Sequence, residues 1–411
     1  MSFIRQVLSV TNMNLRSILE RSGSSLVIIV GIAGSVAVMV SLLAMAEGLS
    51  STISSTGEED RVIILRDGSN SELSSGVAMT EIDTVSSSPG IKSMDGEPMI
   101  AGELFAIIDL KKKGAESTSN LPIRGVQPAS FKIRPEVEII EGRNFTTGTA
   151  EIIVGKGANN QYEGLELGDQ IKVRDSFATV VGIFSSNGNV HESEIWADLA
   201  AAQGIFRRGA SASSMILKLD SPDSFDEVGL FVESYPNLEL KVQSESDFYE
   251  NQSSGADLIK IFGQVVGYIM AIGAVFAALN TMYSAVSTRL VEIGTLRALG
   301  FKGTTVLLAL MIEALLLAMI GGLLGAAIAY ILFNGYTVST LAGGSFSQTA
   351  FAFAVTADVV QQGLTLALFV GLIGGLFPAW NAARRDITEA LRSIKARLSS
   401  NLLNNSPLLS A

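Results

Sequence analysis

Residues 287–302, STRLVEIGTLRALGFK, stand between two long apolar runs, 258–282 and 304–333, and their reading decides the fold. Leu290, Ile293 and Leu296 fall at three-residue steps, with Leu299 one turn later, so they make an apolar stripe with Arg289, Glu292 and Arg297 off it. That is the pattern of a short amphipathic helix. Gly300 supplies the residue that accepts a positive φ and ends the helix, and Lys302 adds a cation beyond its C-terminal end. A bounded, water-exposed elbow is expected between two membrane helices. The plainer reading is a solvated turn that only keeps two spans on the correct side.

Working outward, the composition supports the membrane reading. Hydrophobic residues make up 48% of 411, and the mean hydropathy of +0.39 is high for a soluble chain. With no cysteine there is neither a disulfide nor a thiolate metal site, and the single His191 excludes a histidine-based metal or catalytic cluster; it is expected to be a loop or surface residue. The net charge of −11 argues against a nucleic-acid partner, because phosphate binding needs clustered cations. That charge is uneven. Residues 47–257 carry a net −17, which leaves +6 for the remainder.

Residues 1–25 read as an amphipathic helix at the membrane surface, with Arg5, Arg16 and Arg21 toward headgroups. Four spans are expected at 26–48, 256–286, 303–334 and 358–381, the first with 21 uncharged residues from Leu26 to Ala46. Small residues at Ala44 and Ala46 resemble a signal cleavage site, but the apolar run is too long for one. Cations flank the spans at the N-terminus, the elbow and the tail 382–411, while the loop 335–357 has none, so those three regions are placed in the cytosol. Both termini are then inside. The acidic segment 49–255 falls outside.

That segment is read as a soluble α+β domain. β-branched runs at 61–65, 104–110, 151–154, 170–173, 178–184, 215–219 and 238–242 read as strands, separated by turn pairs such as Pro89-Gly90, Asp95-Gly96, Glu141-Gly142 and Asn187-Gly188. A helix near 224–233 between two of these strands gives a β-α-β unit able to pair with one near 62–108. The stretch 121–206 reads as more purely β. Gly155-Lys156-Gly157 is no phosphate loop, since a glycine stands where the hydroxyl residue is required. Any ATPase must be another polypeptide.

Inside the spans, Glu313 lies about 14 Å deep at helical rise. A buried carboxylate is a functional candidate by default. Its alternatives are a helix-to-helix hydrogen bond that fixes packing or a coupling role; a proton relay lacks a second ionisable partner within the spans. Gly321 with Gly325, and Gly371 with Gly375, are small residues four apart that permit close helix approach, within the chain or between copies.

The elbow resembles the cytosolic segment of the FtsX and MacB class of ABC transporter permeases, matched here by Arg289, Glu292, Ile293, Gly294, Leu296, Arg297, Ala298, Leu299 and Gly300. The stretch 374–393, GGLFPAWNAARRDITEALRS, resembles the closing motif of that family through Pro378, Ala379, Ala382, Ala383, Arg384, Ala390, Leu391 and Arg392, with Arg385 beside them. Pro378 is expected to end or kink the fourth span, and the arginines to anchor the turn at the surface. A proline common near Ile387 in the family is missing. The order of segments in 49–255 resembles an extracytoplasmic domain in which an all-β subdomain, here 121–206, is inserted into an α/β porter-like subdomain.

The resemblance implies a four-helix permease in the bacterial inner membrane that is not itself an enzyme and holds no cofactor. ATP and magnesium would bind a separate cytosolic ABC ATPase docked on the elbow. A second permease copy, a homodimer, is implied, and a periplasmic adaptor and an outer-membrane channel are left open. The expected function is mechanical, with ATP-driven motion carried to the outer domain for export or extraction of a substrate outside the bilayer. Alternatives are a lipoprotein-releasing permease, an FtsX-like transmitter that activates a cell-wall hydrolase, and a receptor that only binds.

Overall fold

The computed structural model describes residues 3–18, 22–235, 237–252, 254–341 and 348–384. In chain order come α1 (Phe3–Ile18), α2 (Ser22–Ser54), β1 (Arg61–Arg66), β2 (Val77–Ala78), α3 (Met79–Val85), β3 (Ser93–Met94), β4 (Glu97–Pro98), β5 (Ile100–Lys111), β6 (Thr118–Val126) and α4 (Pro128–Ile133). Next are β7 (Glu138–Gly142), β8 (Glu151–Gly155), α5 (Lys156–Gln161), β9 (Gln170–Val173), β10 (Ser176–Ser185), β11 (Ile195–Asp198), α6 (Leu199–Phe206), β12 (Ser211–Ala212) and β13 (Ser214–Lys218). The chain then runs through α7 (Phe225–Glu233), β14 (Leu240–Ser244), α8 (Glu245–Gln252), α9 (Ser254–Thr288), α10 (Leu290–Ala298), α11 (Gly303–Phe333), β15 (Thr337–Leu341), β16 (Gln348–Ala352) and α12 (Ala357–Arg384). These elements fall into two units, one of residues 1–45, 259–334 and 354–411, the other of 46–258 with 335–353.

In the first unit, four helices, α2, α9, α11 and α12, are long and apolar enough to cross a membrane. Their shared core is built from Ile32, Val36, Val40, Ala274, Ala278, Ala318, Ala367 and Val370. The many alanines and glycines let the axes come close. A Cβ on Gly321 would lie 2.9 Å from the Ile29 carbonyl oxygen, and one on Gly325 2.5 Å from that of Ala33, so both glycines face α2. Gly371 touches Ala318, and a Cβ on Gly375 would meet that of Ala314 at 2.6 Å, so this pair faces α11. Both glycine pairs are therefore occupied by packing within the chain, and none is left over for a copy.

Helix α1 packs along α11 through Val10 and Asn14, both buried, while Ile4 and Leu8 stay outward. Leu19, Glu20 and Arg21 lie outside the described residues. Pro378 sits buried inside α12, which continues to Arg384, so the proline does not end the span.

In the second unit the principal sheet has ten strands in the order β14-β1-β13-β5-β6-β11-β8-β10-β7, with β9 also on β10. Strands β13 and β14 both pair antiparallel with β1, so β13, α7 and β14 form a split β-α-β unit with the first strand in its middle. This is the pairing that the two β-α-β patterns anticipated. The turn pairs behave as read, with positive φ at Gly90, Asp95, Gly96, Gly142, Asn187 and Gly188.

Two expectations are corrected. Residues 121–206 are not all-β, since α4, α5 and α6 lie among their strands, started by Pro128 at the first turn of α4 and by Asp198, which accepts the Ala201 amide at 3.2 Å. Nor do they form a separate sheet, because the twelve-residue β5 pairs with β13 over residues 100–103 and with β6 over 104–111. The uncharged loop 335–357 contains instead a hairpin, β15 with β16, held on the second unit where Ser193 Oγ accepts the Ala350 amide at 2.8 Å and Gln348 Nε2 donates to Ser119 at 2.8 Å.

Candidate functional site

The elbow forms as the nine-residue helix α10, and its end is a Schellman turn. The Phe301 amide donates to the Leu296 carbonyl at 3.1 Å, the Gly300 amide to that of Arg297 at 3.1 Å, and Gly300 has φ +96°. Leu290 and Ile293 face inward, Ile293 being buried among Val306, Leu310, Met311 and Ala379 at the ends of α11 and α12. The stripe does not run the full length. Leu296 is half-buried and Leu299 is 73% exposed, since the turn at Gly300 swings the last position away from the bundle. Glu292, Ala298 and Leu299 therefore make the open face, with Gly294 buried beneath.

Arg289 departs most from the sequence reading. It occupies the break between α9 and α10, is 4% exposed, and its Nη1 donates to Glu313 Oε2 at 3.2 Å. Glu313, buried on α11, thus has the ionisable partner that the spans themselves lack, and it comes from the elbow. The pair is charge-assisted and largely shielded from water, so it fixes the start of α10 to the third span. Arg289 is not part of the open face. Arg384 lies with its guanidinium 4.3 Å over the Trp380 ring, at the end of α12. Arg385 and Arg392 lie outside the described residues.

A second constellation in the sheet unit was missed entirely. Arg124 is fully buried and donates to Glu72 at 2.7 Å, Glu103 at 2.9 Å and Glu194 at 2.8 Å. Arg134 joins Glu103 to Glu245, and Arg61 reaches Glu245 at 3.1 Å and Glu136 at 2.6 Å. His191 is not at the surface as expected. It is wholly buried, with Nδ1 3.3 Å from Glu194, whose carboxylate also accepts Trp196 Nε1 at 2.7 Å.

Burial on its own would raise the Glu103 and Glu194 carboxylates. The guanidinia, Arg134 then Arg124 for Glu103 and Arg124 for Glu194, overcome it and hold Glu103 below and Glu194 well below the ordinary range. Burial would likewise lower Arg134, yet Glu103 and Glu245 raise it. In sequence these residues look like surface charges scattered over nearly 190 positions. Only the alternation of Glu103 and Arg124 with apolar neighbours on inner strands carried a signal.

Comparison with known proteins adds two regions of similarity. Residues 25–229 match the MacB-like periplasmic core domain, and residues 265–387 match the FtsX-like permease C-terminal region. The chain is 24% identical to the uncharacterised ABC transporter permease YvrN of Bacillus subtilis strain 168, over 93% of this chain and 97% of that one. It is 23% identical to the macrolide export ATP-binding/permease protein MacB of Shewanella oneidensis, over 86% of this chain and 57% of the relative. Among solved structures, the periplasmic region of MacB from Actinobacillus actinomycetemcomitans aligns over 47% of this chain and 92% of its own length, at 12% identity and a TM-score of 0.36.

Proposed function

From its place among the FtsX- and MacB-like ABC transporter permeases, the family to which this chain belongs, we propose that it is a lever driven by an ATPase carried on another polypeptide. An ABC permease of this kind works with an ATPase partner. The finer reading is that the ATPase docks on the open face of α10, that ATP and magnesium bind there and not here, and that the resulting displacement acts on a substrate beyond the bilayer. The tail, the elbow and the N-terminus face the cytosol in this reading, and the acidic unit faces the periplasm or exterior. Export, lipoprotein release and signalling share this mechanics, as would a periplasmic adaptor or outer-membrane channel joined to it.

One observation carries the proposal. Leu299 stands 73% exposed at the tip of a helix whose other end is tied to the third span by Arg289 and Glu313. An uncovered leucine on a firmly mounted helix offers a partner's pocket an apolar side chain held in one place. A homodimer has its own support on α9, where Phe262, Val265, Ile269, Ile272 and Phe276 are all exposed at alternating three- and four-residue steps, the spacing of a coiled-coil seam.

The test is co-purification from native membranes. Leu299→Asp and Glu292→Arg should each reduce recovery of the bound ATPase at least tenfold while the permease itself is recovered in normal yield. Unchanged recovery with both variants would sink the docking role of the elbow.

A further inference from the structure

The chain enters and leaves the segment 46–258 at neighbouring points. Six residues separate the end of α2 from Arg61 at the start of β1, and Glu245 begins α8 directly after β14. These two connections touch backbone to backbone, since a Cβ on Gly57 would stand 2.5 Å from the Ser246 nitrogen and Cα. Thr56, just past α2, accepts the Val190 amide on Oγ1 at 3.1 Å and donates to the Thr52 carbonyl at 2.9 Å. That ties the end of α2 to the turn bearing His191.

Among the described residues, the buried acidic and guanidinium side chains of this segment, apart from the helix-capping Asp198, start from the same junction. Arg61 and Arg134 share Glu245, Arg134 and Arg124 share Glu103, and Arg124 holds Glu72 and Glu194. The chain of ions therefore runs from both connections into the middle strands β5 and β6. Elsewhere on the unit, ion pairs such as Arg207 with Asp175 are exposed, at 80% and 84%.

Buried ions are a poor source of net stability compared with apolar packing. What they supply is direction, because a guanidinium shared by two or three carboxylates has one geometry and strands a charge in any other. Apolar side chains can slide past one another with little change in energy, and these groups cannot. Placing such a network at the junction, between two apolar cores that already hold the sheet, makes the junction resistant to shear.

We propose that this ionic network is the coupling joint of the lever, the element that makes the end of α2 and the start of α8 move the sheet as one body. The inference rests on the mechanical reading above and names the residues through which that motion must pass. Glu245 is its centre, as the one carboxylate shared between the entering strand and α4. Acting through others, it is a positioning residue.

The test uses the full chain with its co-purified ATPase in lipid nanodiscs. Because the chain has no cysteine, spin labels can be placed on cysteines introduced at two exposed positions, Phe177 in the sheet unit and Leu323 on α11. In the otherwise native complex, ATP is expected to shift the distance distribution between them. Glu245→Gln should abolish that shift while the ATPase rate stays within twofold and the permease still unfolds cooperatively. Should Glu245→Gln fail to fold, Thr56→Val, which keeps shape and loses only the hydroxyl, carries the test and should at least halve the shift. A full shift in a folded Glu245→Gln or in Thr56→Val overturns the joint. If the native complex itself shows no ATP-dependent shift, the lever reading falls first and takes the joint with it.

Discussion

Arg289 and Glu313, 24 residues apart, show what a linear reading can and cannot see of a single side chain. The depth of Glu313 was legible because a carboxylate interrupts an otherwise apolar run. Its partner was not, because Arg289 belongs to a motif whose other charges face water, and no period connects an elbow to the interior of the next helix. Glu313→Ala removes the carboxylate that the buried Arg289 guanidinium donates to and should lower stability by about 3–5 kcal/mol. Arg289→Met combined with Glu313→Leu removes both charges and should restore most of that loss, as read by thermal unfolding in detergent. Glu103 and Glu194 give a prediction in pH. Their folded carboxylates are held below the ordinary range, so they stabilise the fold above the unfolded pKa of about 4.3 and lose that contribution as acid protonates them. The Trp196 emission, beside Glu194, should therefore hold steady from neutrality to about pH 5 and change cooperatively only in stronger acid.

At the scale of the element, the spans, the elbow and seven of the ten strands of the principal sheet could be read because each has a period or a bounding turn. Strands β6, β7 and β11 were missed, being less β-branched and adjoined by helices started by Pro128 and Asp198. The hairpin β15–β16 is not legible in the sequence, since nothing in its uncharged residues announces the serine and glutamine contacts that hold it. The glycine pairs were seen, but spacing does not say which helix they face. Packing now gives them distinct consequences. Gly325→Leu drives atoms into Ala33 and Val36 of α2 and should lose about 1–3 kcal/mol, seen as a lowered melting temperature. Gly273, on α9, has nothing within 4 Å of an added Cβ, and Gly273→Ala should leave the melting temperature unchanged or raised.

For the molecule as a whole, charge segregation and hydropathy were enough to separate an acidic β-rich part from an apolar helical one, and the family motifs named the class. They did not reveal the inward-facing ions, because a sequence shows charge without showing depth. One feature of the sheet bears on how the chain comes off the ribosome. Strand β1 is made early, yet its two neighbours are β13 and β14, with Arg61 opposite Lys218 and Val62 opposite Ser244. For about 150 residues of synthesis the run VIIL has both edges open, a sticky ribbon that only β14, the last strand of the principal sheet, can close. A nascent chain stalled before residue 240 should be cut readily within residues 61–66 by protease, and one stalled after α9 has fully emerged should resist. Biogenesis of this protein thus depends on shielding its first strand until translation has nearly finished the sheet, a burden that falls on chaperones or the translocation machinery, not on the finished fold.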